Sequence, residues 1–153
     1  MAYTTTAIED ALLAKIEPLK ASLGVRTIKT YEEELDNEET IAKALALMPA
    51  ILAVYGGSTY ADHGERKIEA LRWLLFCCDK SLRTYDEARR GGKRNPGAYA
   101  MLDGCRDALA ASQLGLDVTP LKIVRQDAVW FGGGIAVYVA EYETSQALLY
   151  QVS

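Results

Sequence analysis

Ile8, Leu12, Ile16 and Leu19 fall three or four residues apart, just after the cap-type residues Thr4, Thr5 and Thr6. That spacing places them on one stripe and predicts an amphipathic first helix. Glu9 and Asp10 lie near its positive end, with Lys15 and Lys20 further along. Pro18 has no backbone N–H and should kink this helix or end it early, and Gly24 closes the element. Val25, Thr27, Lys29 and Tyr31 then alternate with Arg26, Ile28 and Thr30, which predicts a short strand. The acidic run over residues 32–39, broken by Leu35 and Asn37, reads as a solvated loop leading into the acidic first turn of a helix. Asp36 or Asn37 can cap that helix; Ile41, Ala44, Leu45 and Met48 give it an apolar side, and Pro49 ends it.

Residues 50–55 predict a second strand that Gly56 and Gly57 end or bend. Residues 58–64 have turn chemistry and the chain returns from Lys67, so an antiparallel hairpin with a longer loop is expected. Residues 71–78 are the most apolar run. Short, aromatic and ended by Asp79 and Lys80, they predict a strand buried on both faces, with Cys77 and Cys78 pointing opposite ways. A charged loop follows with Arg89, Arg90, Lys93 and Arg94, and Gly91–Gly92 reads as a source of mobility. Asn95–Pro96 is a helix-start signal. Ala98, Met101, Leu102, Cys105, Leu109 and Ser112 follow helical spacing, and Gly115 is placed to end the helix.

Residues 120–126 and 135–143 are strand-like, and residues 127–134 between them read as a mobile hairpin connection. Trp130 and Phe131 in that connection should pack back on the core or against a neighbour. Ile135, Val137 and Val139 face one way, and Tyr138 and Tyr142 face the other with Ala136 and Ala140. The second surface is expected to be covered by a helix or another subunit. Leu148, Leu149 and Tyr150 make residues 145–153 too apolar for a free tail, so they should dock. The order helix, strand, short helix, hairpin, helix, hairpin predicts an α+β fold. We expect a single domain over residues 1–153, with a mostly antiparallel sheet and helices packed on one face.

Composition narrows the chemistry. A chain of 153 residues, half of them hydrophobic, is sized for one core. The net charge of −4 argues against a broad nucleic-acid-binding face, which needs clustered excess positive charge. Cys77, Cys78 and Cys105 do not form a disulfide framework and read as small buried hydrophobes in a reducing compartment. The first residues lack a basic start and a long apolar run, and no stretch approaches the roughly 20 apolar residues that span a membrane. Synthesis in the cytosol without membrane attachment is therefore expected. His63, the only histidine, reads as a surface loop residue. A Ser58–His63–Asp62 triad would have to converge from one short turn without a nucleophile elbow, and is rejected. Gly132–Gly134 is followed by a strand rather than a helix, unlike a phosphate loop. No catalytic residue, cofactor or metal site is expected.

The ordered segments TAIEDALLAKIEPL, VRTIKTYEEEL, LMPAILAVYGG, ARRGGKRNPGAYAMLDGCRDAL, LGLDVTPLKIV and IAVYVAEYET resemble the small Gp37-type proteins of Mu-like phages and prophages, over residues 6–144. The resemblance implies a tail-terminator-like fold and a structural role in completing a contractile tail. Such a protein sits as a hexameric ring on the head-proximal end of the tail tube. There it stops polymerisation and presents the surface for head–tail joining. Implied partners are further copies of the chain, the tail tube, the sheath protein and the head–tail connector, in a virion assembled in the bacterial cytoplasm. A ring needs one edge of each subunit to meet a different edge of the next. Glu32, Glu33 and Glu34 on one loop, Arg89, Arg90, Lys93 and Arg94 on another, and Trp130 and Phe131 are the candidate assembly residues. The alternatives are a head-completion or adaptor protein between portal and tail, and a small α+β enzyme or ligand-binding domain.

Overall fold

A computed structural model describes residues 2–83 and 86–149. In chain order the elements are α1 (Thr5–Ile16), α2 (Leu19–Leu23), β1 (Thr27–Thr30), α3 (Glu38–Ala44) with a 3-10 turn (Leu45–Leu47), β2 (Ala50–His63) and β3 (Arg66–Lys80). They continue with α4 (Glu87–Arg90), α5 (Ala98–Leu109), β4 (Lys122–Gly132) and β5 (Ile135–Leu149). The strands form one sheet in the order β1-β2-β3-β5-β4. Every pairing is antiparallel except β1 with β2. The predicted α+β architecture with a mostly antiparallel sheet is the one the chain adopts, but helices cover both faces rather than one: α1 and α5 lie on one side and α3 on the other.

Local chemistry sets the first elements where the sequence placed them. The Thr4 hydroxyl accepts from the Ala7 N–H and caps α1. Pro18 separates α1 from α2, and Gly24 ends α2 at a φ of 76°. Asn37 and Thr40 exchange side-chain-to-backbone bonds of 3.0 Å each way, a reciprocal cap on α3.

The core follows from the two-residue period of the strands. Ile51, Ala53, Leu71, Trp73, Leu75, Cys77, Ala140 and Tyr142 form one face, and α1 and α5 close it with Ile8, Leu12, Ile16, Met101, Leu102, Cys105 and Leu109. On the opposite face α3 and its 3-10 turn cover one end, where Ala44 and Met48 meet Ala50, Leu52, Cys78 and Val137. Cys77 and Cys78 are thus both buried, one on each face, and burial pushes the Cys78 thiol up to about 12.

Three expectations about length are corrected. Residues 58–63 of the expected turn are strand: β2 runs on to His63 across a bulge between Tyr55 and Gly57. The β2–β3 hairpin closes at Gly64–Glu65, so its loop is tight. Likewise β4 and β5 pair as far as Gly132 and Ile135, and Gly133–Gly134 alone make the turn where a longer mobile connection was expected. Helix α5 starts at Ala98 and stops at Leu109, so neither Asn95 nor Gly115 bounds it, and Ser112 lies outside it. The expected docking of residues 145–153 is seen through Leu149, where β5 stays paired with β3; Tyr150 and beyond lie outside the described residues.

Candidate assembly surfaces

The acidic loop follows β1, an edge strand. It does not present three equivalent carboxylates. Glu33 is exposed at a φ of 72°, and Glu32 is exposed with an oxygen 3.4 Å from Lys29 Nζ. Glu34 turns inward and is 8% exposed; it lies 2.5 Å from Lys29 Nζ and accepts the Glu32 N–H at 2.6 Å. Burial alone would push its carboxyl up. The Lys29 ammonium and the backbone N–H groups of Glu32 and Glu34 outweigh burial and hold it below the ordinary value. Tyr31 ties the loop further: its hydroxyl donates to Asp36 at 2.7 Å and accepts the Leu35 N–H, while its ring packs on Phe76. Burial and the Asp36 carboxylate push that hydroxyl up to about 12. Of the acidic candidates, Glu32 and Glu33 are surface groups, and Glu34 is a structural one.

The basic segment is built around a buried carboxylate that sequence reasoning missed. Asp79, at the end of β3, is fully buried. Its Oδ2 accepts from Asn95 Nδ2 at 2.9 Å and from the Gly97 N–H at 2.8 Å, and its Oδ1 accepts from the Lys80 N–H at 2.7 Å. Burial raises the carboxyl and these donors offset part of the effect, leaving it above its ordinary value. Asn95 also donates to the Glu87 carbonyl at 2.8 Å, and the Gly92 N–H reaches the Asn95 carbonyl at 3.0 Å. Gly91 and Gly97 both have positive φ, 87° and 83°. A Cβ on Gly97 would fall on the backbone nitrogen of Gly91, and one on Gly91 would meet the Pro96 carbonyl. Gly91 therefore serves close backbone approach, where the sequence had suggested mobility. The signal for Asp79 was a charged residue ending the most buried strand, but its donors lie 16 and 18 positions away.

On this scaffold Arg90, Lys93 and Arg94 are exposed. Arg89 is half-buried and lies against Tyr138, whose ring packs edge-on to Tyr99 with centroids 5.5 Å apart. The basic segment thus packs against the interior strands β3 and β5, while the acidic loop follows the β1 edge. Among the described residues no ion pair joins Glu32, Glu33 or Glu34 to Arg90, Lys93 or Arg94.

Trp130 is 47% exposed on β4, the other edge strand. The β4–β5 register slips between Ile123 and Arg125 and again between Ala128 and Trp130. The skipped residues, Val124 and Val129, are themselves about half exposed. Trp130, Val124 and Val129 are exposed apolar residues on β4, interspersed with exposed Lys122, Arg125 and Asp127; nothing is described of the Phe131 side chain. Among the described residues no group of three His, Cys, Asp or Glu could hold a metal ion, and no helix is long and apolar enough to cross a membrane.

These features define a one-sheet α+β protein whose distinctive chemistry lies on its edges and loops. Residues 4–147 match the family described as Bacteriophage Mu, Gp37, and the chain belongs to that family. Among solved structures, a chain of the virion of a native gene transfer agent particle shares the fold at a TM-score of 0.59. Its sequence identity is 13%, and the match covers 94% of this chain and 98% of that one. No curated protein matches.

Proposed function

We propose that this protein is a non-catalytic virion component that caps the head-proximal end of a phage tail tube as a ring, hexameric by fold analogy. In this reading it ends tube polymerisation and offers the surface for head–tail joining. The observation that carries the reading is the placement of unlike charge on separate surfaces of the fold. Exposed Glu32 and Glu33 follow the β1 edge, and exposed Arg90, Lys93 and Arg94 belong to a segment packed against the interior strands β3 and β5. Unlike charged surfaces on one subunit suit head-to-tail contacts, which close into a ring where the rotation between subunits closes. Trp130 on β4 adds an apolar anchor of the type enriched in interfaces. Membership of a phage family, and the shared fold with a chain from a phage-like particle, agree with a particle role.

Light scattering on a sizing column, at low and high salt and several protein concentrations, tests the ring. A closed species near six subunits that dissociates in high salt is the expected result, with purified tail tubes added as a template. Reversing Arg90 and Arg94 to Glu should leave the fold intact and abolish both the ring and tail completion. Normal tails from that variant would sink the assignment.

A further inference from the structure

We infer that the distal edge of β5 is an acceptor for an extended strand from another polypeptide, independent of the ring contacts. In the β5 ladder, Thr119 N–H donates to the Ser145 carbonyl and Ser145 N–H donates to the Thr119 hydroxyl. Ser145 therefore turns its backbone groups away from β3, and by the two-residue alternation so does Ala147. Glu143 has Lys122 of β4 opposite it, and Ser145 has Thr119. The row then stops, because Pro120 and Thr119 lead the chain back into the loop. Beyond them runs an open groove of about 810 Å³ along this edge, with Ile68 and Ala147 in its wall.

The two edges available on this side of the sheet differ in kind. The outer edge of β4 is broken by two bulges and carries Lys122 and Arg125, devices that discourage strand addition. The distal part of β5 has no register shift against β3 and no charged residue from 144 to 149. Among the described residues the outward backbone N–H and C=O of Ala147 have no backbone partner, so the complementary partner is an extended backbone.

Charge sets its polarity. Arg66, opposite Leu149, lines the far end of the groove and Asp117 the near end. A strand added antiparallel, in line with β4, would begin beside Arg66 and end beside Asp117. The occupant is thus an extended arm with an acidic residue at its leading end, small apolar residues between, and a basic residue at its trailing end.

The probe is a blocked hexapeptide of sequence Glu-Val-Thr-Val-Thr-Lys, followed by amide spectra and hydrogen exchange on the intact chain. In the free protein the Ala147 amide should exchange freely while Gln146 and Leu148 are protected by β3. Saturating peptide should shift and protect Ala147. Alternate N-methylation of the peptide, which removes its donors, should weaken binding at least tenfold. Ala147→Pro deletes the outward N–H without touching the β3 ladder; it should keep the fold and lose the peptide by a similar factor. The inference is overturned if Ala147 is already protected in the free chain, which would mean that the chain covers its own edge. It is equally overturned if Ala147 is untouched by the peptide, or if Ala147→Pro binds it as well as the parent. None of these outcomes bears on ring formation, which is read separately by mass.

Discussion

The acidic loop after β1 and the basic segment that runs from α4 toward α5 are runs of opposite charge in the sequence, and the fold treats them oppositely. The acidic loop spends a carboxylate on its own structure: Glu34 is buried against Lys29 and leaves Glu32 and Glu33 outside. The basic segment spends none of Arg90, Lys93 or Arg94. Its conformation is held by a carboxylate from elsewhere, Asp79, and by two glycines whose backbones touch. A charged side chain on a loop anchored by backbone groups can be conserved in shape while free in function. One that builds its loop cannot be exchanged without loss of the loop.

That difference can be broken most strongly at Gly97. A methyl group there meets Gly91 backbone at a φ of 83°, so Gly97→Ala combines overpacking with backbone strain. It should cost about 3 kcal/mol, read as a fall in the midpoint of denaturant unfolding. Asp79→Ala comes next. It strands three donors, those of Lys80, Asn95 and Gly97, and should cost roughly 2–3 kcal/mol. Both changes should disorder the basic segment and leave the Lys29–Glu34 pair intact, which amide spectra would report.

How much of this was legible in the sequence follows a physical divide. The elements fixed by local chemistry could be read: a cap among Thr4–Thr6, the Pro18 break, a cap at Asp36 or Asn37 and the alternating faces of residues 135–143. Strand lengths could not, because residues 58–63 and 127–132 have loop composition and are held extended by their cross-strand partners. The site divides the same way. Charge blocks are visible in a sequence, but burial of Glu34 and anchoring through Asp79 depend on contacts made across the fold.

A smaller effect is expected at Glu34→Gln, about 1 kcal/mol at neutral pH, since Lys29 keeps a polar partner and partial solvent. Its sharper signature is in acid. The folded carboxyl of Glu34 lies below its ordinary value of 4.5, so its contribution is present above that value. It is lost as pH falls through the folded pKa. Asp79 works in the other direction. Its folded carboxyl lies above 3.8, so its contribution is present below that value and is lost as pH rises through the folded pKa. Glu34→Gln should therefore flatten the acid limb of stability against pH, measured by urea unfolding. An unchanged acid limb would mean that Lys29 does not hold the carboxylate.

The smallest expected effect on stability is at the basic surface. Arg90→Glu with Arg94→Glu removes two exposed side chains from a segment whose shape they do not set, so unfolding should move by less than about 0.5 kcal/mol. The same pair should abolish salt-sensitive assembly. If stability falls by as much as in Asp79→Ala, the arginines build the segment after all. The two charged regions would then be alike, and the assignment of the basic one to assembly would lose its footing.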